Sequence, residues 1–475
     1  MENGVPEASS AKRRRSAPSR AGLLAPKKRK SSSAIKLQKR ASEDHFHLEN
    51  SGEQATIMDE LEYELEGARE TSSISVRRGS TYNLAKLCAH PDEAKQLRSR
   101  GLCNRVLQLL DSQPEDEVVA MNVSLMAYFL LRDARNAELI TGDHLKTLLS
   151  IAVAQPQHAS PKKQSTKRPV KRLSLSNTSE VEMKRSRELI EVEATINEWP
   201  EAEVHPFRVA IQTLRRLVEV DRGALKRALE EDDEPDLILA KLLALTEKHI
   251  ARVSTSDASD AYYTCLKLLE ATTDDPAYQR ALVPIIPSLL LAVPLCMTDE
   301  PLAGQCLVAI LRVLINLTNE NDDACGHMAS NGGMASVACL VEQAWSAEAT
   351  AFGQQKWNLL TLGLSLLVNL IEHNADRRGF VEFVTSVASH WWSTDREADQ
   401  VVIAGYAVLL MGYLAKDSED NRKKIRTNLA SLTPARSLAE LSSALRHFLA
   451  LHEHHRLLSP AAISSASQAA RALLC

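Results

Sequence analysis

Apolar positions recur along this chain at three- and four-residue spacing, in long phrases separated by short polar runs. The pattern is clearest in residues 305–340. There Leu307, Ile310, Leu311, Leu314 and Ile315 share one helical face, Asn316 comes at its end, and the run NENDD breaks it. Asn331-Gly332-Gly333 signals a stop and a turn, and a second helix is expected from Met334 onward. The phrase LGLSLLVNLIEHNADRRGF (362–380) repeats the arrangement. GYAVLLMGYLAKDSEDNRKKI (405–425) repeats it more loosely, with Gly-Tyr-Leu in place of Asn-Leu. The intervals are irregular, 53 residues from Asn316 to Asn369 and 43 from Asn369 to Gly412. Divergent helical pairs of HEAT or armadillo type fit that irregularity better than a tight repeat does.

The same spacing extends over most of the chain. An acidic helix is expected over 53–68, with Leu61, Tyr63 and Leu65 available to pack, then a loop from Ser72 to Gly79 and a cap at Ser80-Thr81. Helical pattern runs from Tyr82 to Ala152 and resumes near Glu188. It includes an amphipathic stretch from Phe207 to Val220 and segments over 237–252, 258–272, 278–297, 302–317, 334–346, 354–373, 379–391, 397–415, 418–429 and 437–456. The acidic run at 230–236 reads as a loop, and no convincing alternation of strand type occurs. The fold expected is all-α, an irregular HEAT/armadillo-like solenoid. Its parts are a disordered basic tail (1–50), an N-terminal helical part (51–154), a disordered basic insertion (155–187) and a C-terminal helical part (188–475).

Charge changes the picture, because the net value of −4 hides a segregation. Residues 1–40 hold 12 Lys/Arg against 2 Glu, a net of +10, so the remaining residues carry −14. The tail contains Lys12-Arg13-Arg14-Arg15 and, behind Pro26, Lys27-Lys28-Arg29-Lys30, the form of a nuclear localisation signal. The insertion carries nine Lys/Arg against two Glu. Both segments are suited to weak, non-specific DNA contact that salt would abolish. The chain is 44% hydrophobic but only 4% aromatic, so its core must be built largely from Leu, Ala and Val, which favours helix. The eight cysteines show no zinc spacing, and most read as small core residues of a reducing compartment. The apolar run 281–297 is interrupted by Pro284, Pro287 and Pro294, which points to a helix pair in the core and away from a membrane span. No signal peptide is recognised at the N-terminus, and a soluble nuclear protein is expected.

The sequence carries no phosphate-binding loop, no dinucleotide fingerprint, no H-E-x-x-H and no G-x-S-x-G. His452 and His455 would share a helical face, but a hydrated helix end accounts for them. Trp391-Trp392 reads either as a partner anchor or as core filling. Asn316 and Asn369 either bond a partner's backbone or bond a neighbouring turn. No catalytic residue, cofactor or metal is expected.

The wording of five phrases, in order, resembles the wings apart-like cohesin-release family. They are DELEYELEG (59–67), SLMAYFLLRDARNAEL (124–139), LRVLINLTNEND (311–322), LGLSLLVNLIEHNADRR (362–378) and VVIAGYAVLLMGYLAKDS (401–418). With ALRHFLALHE (444–453) the resemblance covers about residues 53–455, leaving out the insertion. It implies a non-enzymatic, chromatin-associated regulator of sister-chromatid cohesion. Such a protein binds the cohesin complex (SMC, kleisin and HEAT-repeat scaffold subunits), together with a separate HEAT-repeat regulator, and favours opening of the SMC–kleisin gate. The Phe-Gly-Phe partner motifs of animal members are not present in this sequence. Polar placement within the matching phrases makes Arg132, Asp133, Asn136, Asn316, Asn319, Glu320, Asn369, Glu372 and His373 the candidate partner-binding residues. A nuclear armadillo-type adaptor and a DNA-binding chromatin protein are the alternatives.

Overall fold

The computed structural model describes residues 58–154, 176–191, 205–250, 256–298, 301–346, 355–373, 384–385, 398–416, 418–432, 438–454 and 460–473. The basic clusters at 12–15 and 27–30, the first part of the insertion, Trp391-Trp392, His455 and Cys475 lie outside them. Two compact units divide between Leu61 and Glu62, and the architecture below is that of the second.

The fold is all-α, and among the described residues there is no strand. A helix over 58–67 (α1) leads to α2 (Ile74–Ala89), α3 (Pro91–Ser99), α4 (Cys103–Leu107), α5 (Glu117–Leu130), α6 (Gly142–Val153) and α7 (Ser176–Glu191). Then come three triplets, each a long helix, a short one and another helix. They are α8 (Pro206–Val220), α9 (Arg222–Glu230) and α10 (Pro235–Ile250); α11 (Ser256–Thr273), α12 (Pro276–Leu282) and α13 (Ile286–Leu295); and α14 (Pro301–Thr318), α15 (Asp322–Ser330) and α16 (Gly333–Ser346). The described helices that follow are α17 (Lys356–His373), α18 (Ala398–Ala415), α19 (Glu419–Leu432), α20 (Leu438–His454) and α21 (Pro460–Ala472).

Two rows organise this unit. Helices α2, α5, α8, α11, α14, α17 and α18 pack in succession, while α6, α10, α13 and α16 form a second row beside them. Within the first row α5 is apolar nearly all round, buried continuously from Val118 to Leu130. Leu307, Leu311, Leu314 and Leu317 on α14 and Leu360, Leu364, Leu367 and Leu370 on α17 are fully buried. Each contributes about 1.5–3 kcal/mol by leaving water, which is what holds adjacent repeats together.

The triplets have a sequence origin that a two-helix repeat conceals. The first polar residues after each long helix include an N-cap: Asp221 accepts from Gly223 N, Asp275 from Ala277 N, and Asn321 from Ala324 N. A short helix therefore starts where the pattern predicts only a turn. Residues 322–330 are helical for that reason, with Ala324, Cys325 and Met328 buried.

Other expectations are corrected. The loop over 72–79 and the cap at Ser80-Thr81 are replaced by α2, which starts at Ile74. Ser80 and Thr81 are buried within it, Ser80 beside Gly67 and Thr81 bonded to Asn122 of α5. The last part of the expected disordered insertion, from Ser176, is helix α7. It packs on α2 and α5, buries Met183, and donates the Ser186 hydroxyl to Asn122 at 2.7 Å. Leu61 and Leu65 are buried as expected, but Tyr63 is 76% exposed, because a residue two positions along a helix points to the far side. Cys88, Cys103, Cys265, Cys296, Cys306 and Cys325 are buried and Cys339 is exposed. The stretch Pro276–Leu295 is long and apolar enough to cross a membrane by length and composition, yet it forms α12 and α13, packed against α10, α11, α14, α15 and α16.

Candidate functional site

The C-terminal ends of α8, α11, α14 and α17, with the turns that follow them, are joined by polar contacts into a ridge. At its centre is Glu270 of α11, whose side chain is only 4% exposed. Lys267 Nζ lies 2.6 Å from its carboxylate, Arg222 of α9 3.3 Å and Arg312 of α14 3.4 Å. A buried carboxylate needs such partners, since desolvation without pairing costs several kcal/mol. Arg222 also pairs with Asp274 at 2.6 Å, and Lys226 with Asp275 at 2.8 Å. The Lys226 ammonium holds the Asp275 carboxyl below its usual range, assisted by the Ala277 N–H.

The ridge continues through asparagine–threonine bonds. Asn316 Nδ2 donates to Asp274 Oδ1 at 2.8 Å and to Thr273 Oγ1 at 3.2 Å. One repeat later Asn369 Nδ2 donates to Thr318 Oγ1 at 3.2 Å. Glu372 accepts from Ser465 of α21, and His373 Nδ1 lies 2.5 Å from Asp322 Oδ1. Thus the two asparagines adopt the same role, each bonding the end of the preceding long helix. Between them Asn319 and Glu320 are exposed, and Glu320 has φ +52°, the left-handed backbone of a helix that ends and turns into α15.

The N-terminal candidates form a separate cluster. Arg132 Nη1 donates to Ala89 O at 2.6 Å, with its guanidinium 4.6 Å from the Phe129 ring centre. Asp133 caps the 3₁₀ turn Ala134–Leu139, accepts from Arg135 and pairs with Arg98 at 3.4 Å. Those bonds, with Arg135 foremost, hold its carboxyl below the usual range. Asn136 is buried, donating to Leu130 O at 2.7 Å and accepting from Arg98 Nη1 at 2.6 Å. Its side chain is taken up by the fold.

The ridge brings together Asn316, Asn369, Glu372 and His373, with Asn319 and Glu320 in the turn between. It does not include Arg132, Asp133 or Asn136. Polar placement missed Glu270, Arg222, Arg312, Asp274 and Arg98. One signal was available: Glu270 falls in the apolar register of CLKLLEATT, where a charge must be paired. The cations that pair with it come from other helices, and nothing local announces them. Among the described residues no group of three or more metal-ligating side chains occurs. His452 is packed against Phe448, with ring centres 4.1 Å apart.

A family described as wings apart-like protein regulation of heterochromatin matches residues 45–377. The human wings apart-like protein homolog is 25% identical over 380 residues, covering 70% of this chain and 30% of that protein. Wings apart-like protein 2 of Arabidopsis thaliana is 24% identical over 218 residues, covering 34% of this chain and 26% of its own length. Both similarities thus span less than a third of those relatives. Among solved structures an engineered protein aligns with a TM-score of 0.41 at 12% identity, over 88% of this chain and 99% of that one.

Proposed function

The chain belongs to the wings apart-like family, and from that premise we propose that it is a non-enzymatic regulator of sister-chromatid cohesion. It binds cohesin through the polar ridge and promotes release from chromatin by favouring an open SMC–kleisin gate. The observation that carries this reading is the extent of the family match: residues 45–377 contain every ridge residue from Arg222 to His373. A rigid stack of repeats whose ridge is cross-braced by Glu270, Asn316 and Asn369 offers a surface that binds without reordering. Docking that distinguishes open from closed gates by about 1–3 kcal/mol is enough to shift the equilibrium severalfold or more. A HEAT-repeat cohesin regulator is the expected second partner, and the nucleus is the place of action.

The test is retention of purified cohesin subunits on the immobilised full chain as salt is raised stepwise. The scaffold–kleisin subcomplex should be held at moderate salt, and a paired Arg222→Ala and Arg312→Ala change should weaken it. The net charge of +10 in residues 1–40 supports a second reading, a chromatin protein that grips DNA. If cohesin is not held and the chain retains DNA only at low salt, that second reading replaces the first.

A further inference from the structure

A cavity of about 190 Å³ opens beside the loop between α4 and α5. Its lining includes the apolar Leu109, Val119 and Val123, with Ser112, Glu70 and Arg77. Arg77 differs from the cations around it. Arg78 is saturated, meeting Asp116 through two nitrogens at 2.6 and 3.0 Å and Glu182 at 2.9 Å. Arg69 is held by Glu66 at 2.8 Å. Among the described residues the Arg77 side chain pairs with no carboxylate, and its buried Nε has no hydrogen-bond partner. A guanidinium presents five N–H donors in a planar fork, and buried donors are nearly always bonded.

We propose that this cavity is a docking site for a partner peptide, taking an apolar side chain against Leu109, Val119 and Val123 and a neighbouring Asp or Glu carboxylate on Arg77. The volume falls below the roughly 300–1,000 Å³ of clefts for small molecules, which suits one or two side chains. Charge selects a carboxylate over a phosphate. One guanidinium lacks a carboxylate partner among the described residues, and Glu70 in the lining opposes a dianion more than a single charge. The site lies on residues that the cohesin proposal does not use, and it stands whether or not cohesin is the partner.

The probes are a panel of fluorescein-labelled heptapeptides in which one Asp or Glu is flanked by Leu, Ile, Val or Phe, read by fluorescence polarisation against the full chain. Matching panels carry Asn or Gln, and phosphoserine, at the acidic position. Members of the acidic panel should bind more tightly than their amide counterparts. Arg77→Gln should weaken them about tenfold, the effect of losing a charge-assisted bidentate bond. Glu70→Gln should tighten them by about two- to threefold through loss of repulsion. Circular dichroism and thermal unfolding should be unchanged in both variants, since neither side chain holds the fold together. An acidic panel no better than the amide panel overturns the proposal. So does an affinity indifferent to Arg77→Gln, or tighter binding by the phosphoserine panel.

Discussion

At the scale of single residues, backbone and protonation can be separated from packing. Gly332 has φ +73° and Gly79 lies within α2, and a Cβ added at either would meet nothing within 4 Å. Replacing each by Ala therefore isolates the backbone. Gly332→Ala should cost about 1 kcal/mol, because an L-residue resists the left-handed region. Gly79→Ala should add roughly 0.5–1 kcal/mol, because helix is easier for Ala than for Gly. Urea denaturation checks both signs. His144 tests protonation. Thr141 N donates to its Nδ1 at 3.1 Å, which leaves the proton on Nε2, 3.0 Å from Asp111. Burial drives its pKa below the usual imidazole value, outweighing the pull of Asp111. A histidine with a depressed folded pKa contributes stability that is full above the unfolded value of about 6.5 and is lost as pH falls toward the folded value. Thermal stability should therefore begin to decline below about pH 6.5, and His144→Gln should remove that limb. A further decline belongs below about pH 4, where Asp133, Asp221 and Asp275, all with lowered pKa, become protonated.

At the scale of elements, the third loose repeat explains itself. Gly412 takes the place of the Asn in the Asn-Leu turns because α21 passes over it. A Cβ there would stand 2.9 Å from the Ala469 carbonyl oxygen. Backbone cannot yield as a flexible side chain does, so Gly412→Ala should destabilise by about 1–3 kcal/mol, the usual cost of overpacking. Hydrogen exchange should show the loosening in α18 and α21 first. An unchanged melting temperature would mean that α21 does not press on α18 in solution. The Asn at the other two repeats was legible as a pattern. Its role was not, since Thr273 and Thr318, which it bonds, are 43 and 51 residues away in sequence.

At the scale of the whole molecule, charge segregation separates address from body. The 12 Lys/Arg of residues 1–40 stand in a stretch with almost no apolar periodicity, which reads in sequence as an address. Removing residues 1–50 should leave the melting temperature within about 1 °C, since a Lys/Arg- and Ser-rich segment without apolar periodicity has little apolar surface to bury. It should abolish nuclear accumulation of a fluorescent fusion, with Lys27, Lys28, Arg29 and Lys30 accounting for most of the loss. Nuclear accumulation undiminished by the deletion would move the import signal elsewhere, to the insertion first.

Helical periodicity, Leu-rich composition and recurrent polar breaks were enough to establish an all-α stack, place most long helices within two or three residues, and bring out the family. These are local properties, carried by residues three or four apart. What the sequence alone did not contain was which polar residues face one another. Tertiary packing turned Ser80 and Thr81 from a cap into core and put α7 on α2 and α5. It also gathered Arg222, Lys267 and Arg312 around the Glu270 carboxylate and left Arg77 with no carboxylate partner among the described residues, beside a cavity. Pairing across helices depends on the register between repeats, which long-range burial decides.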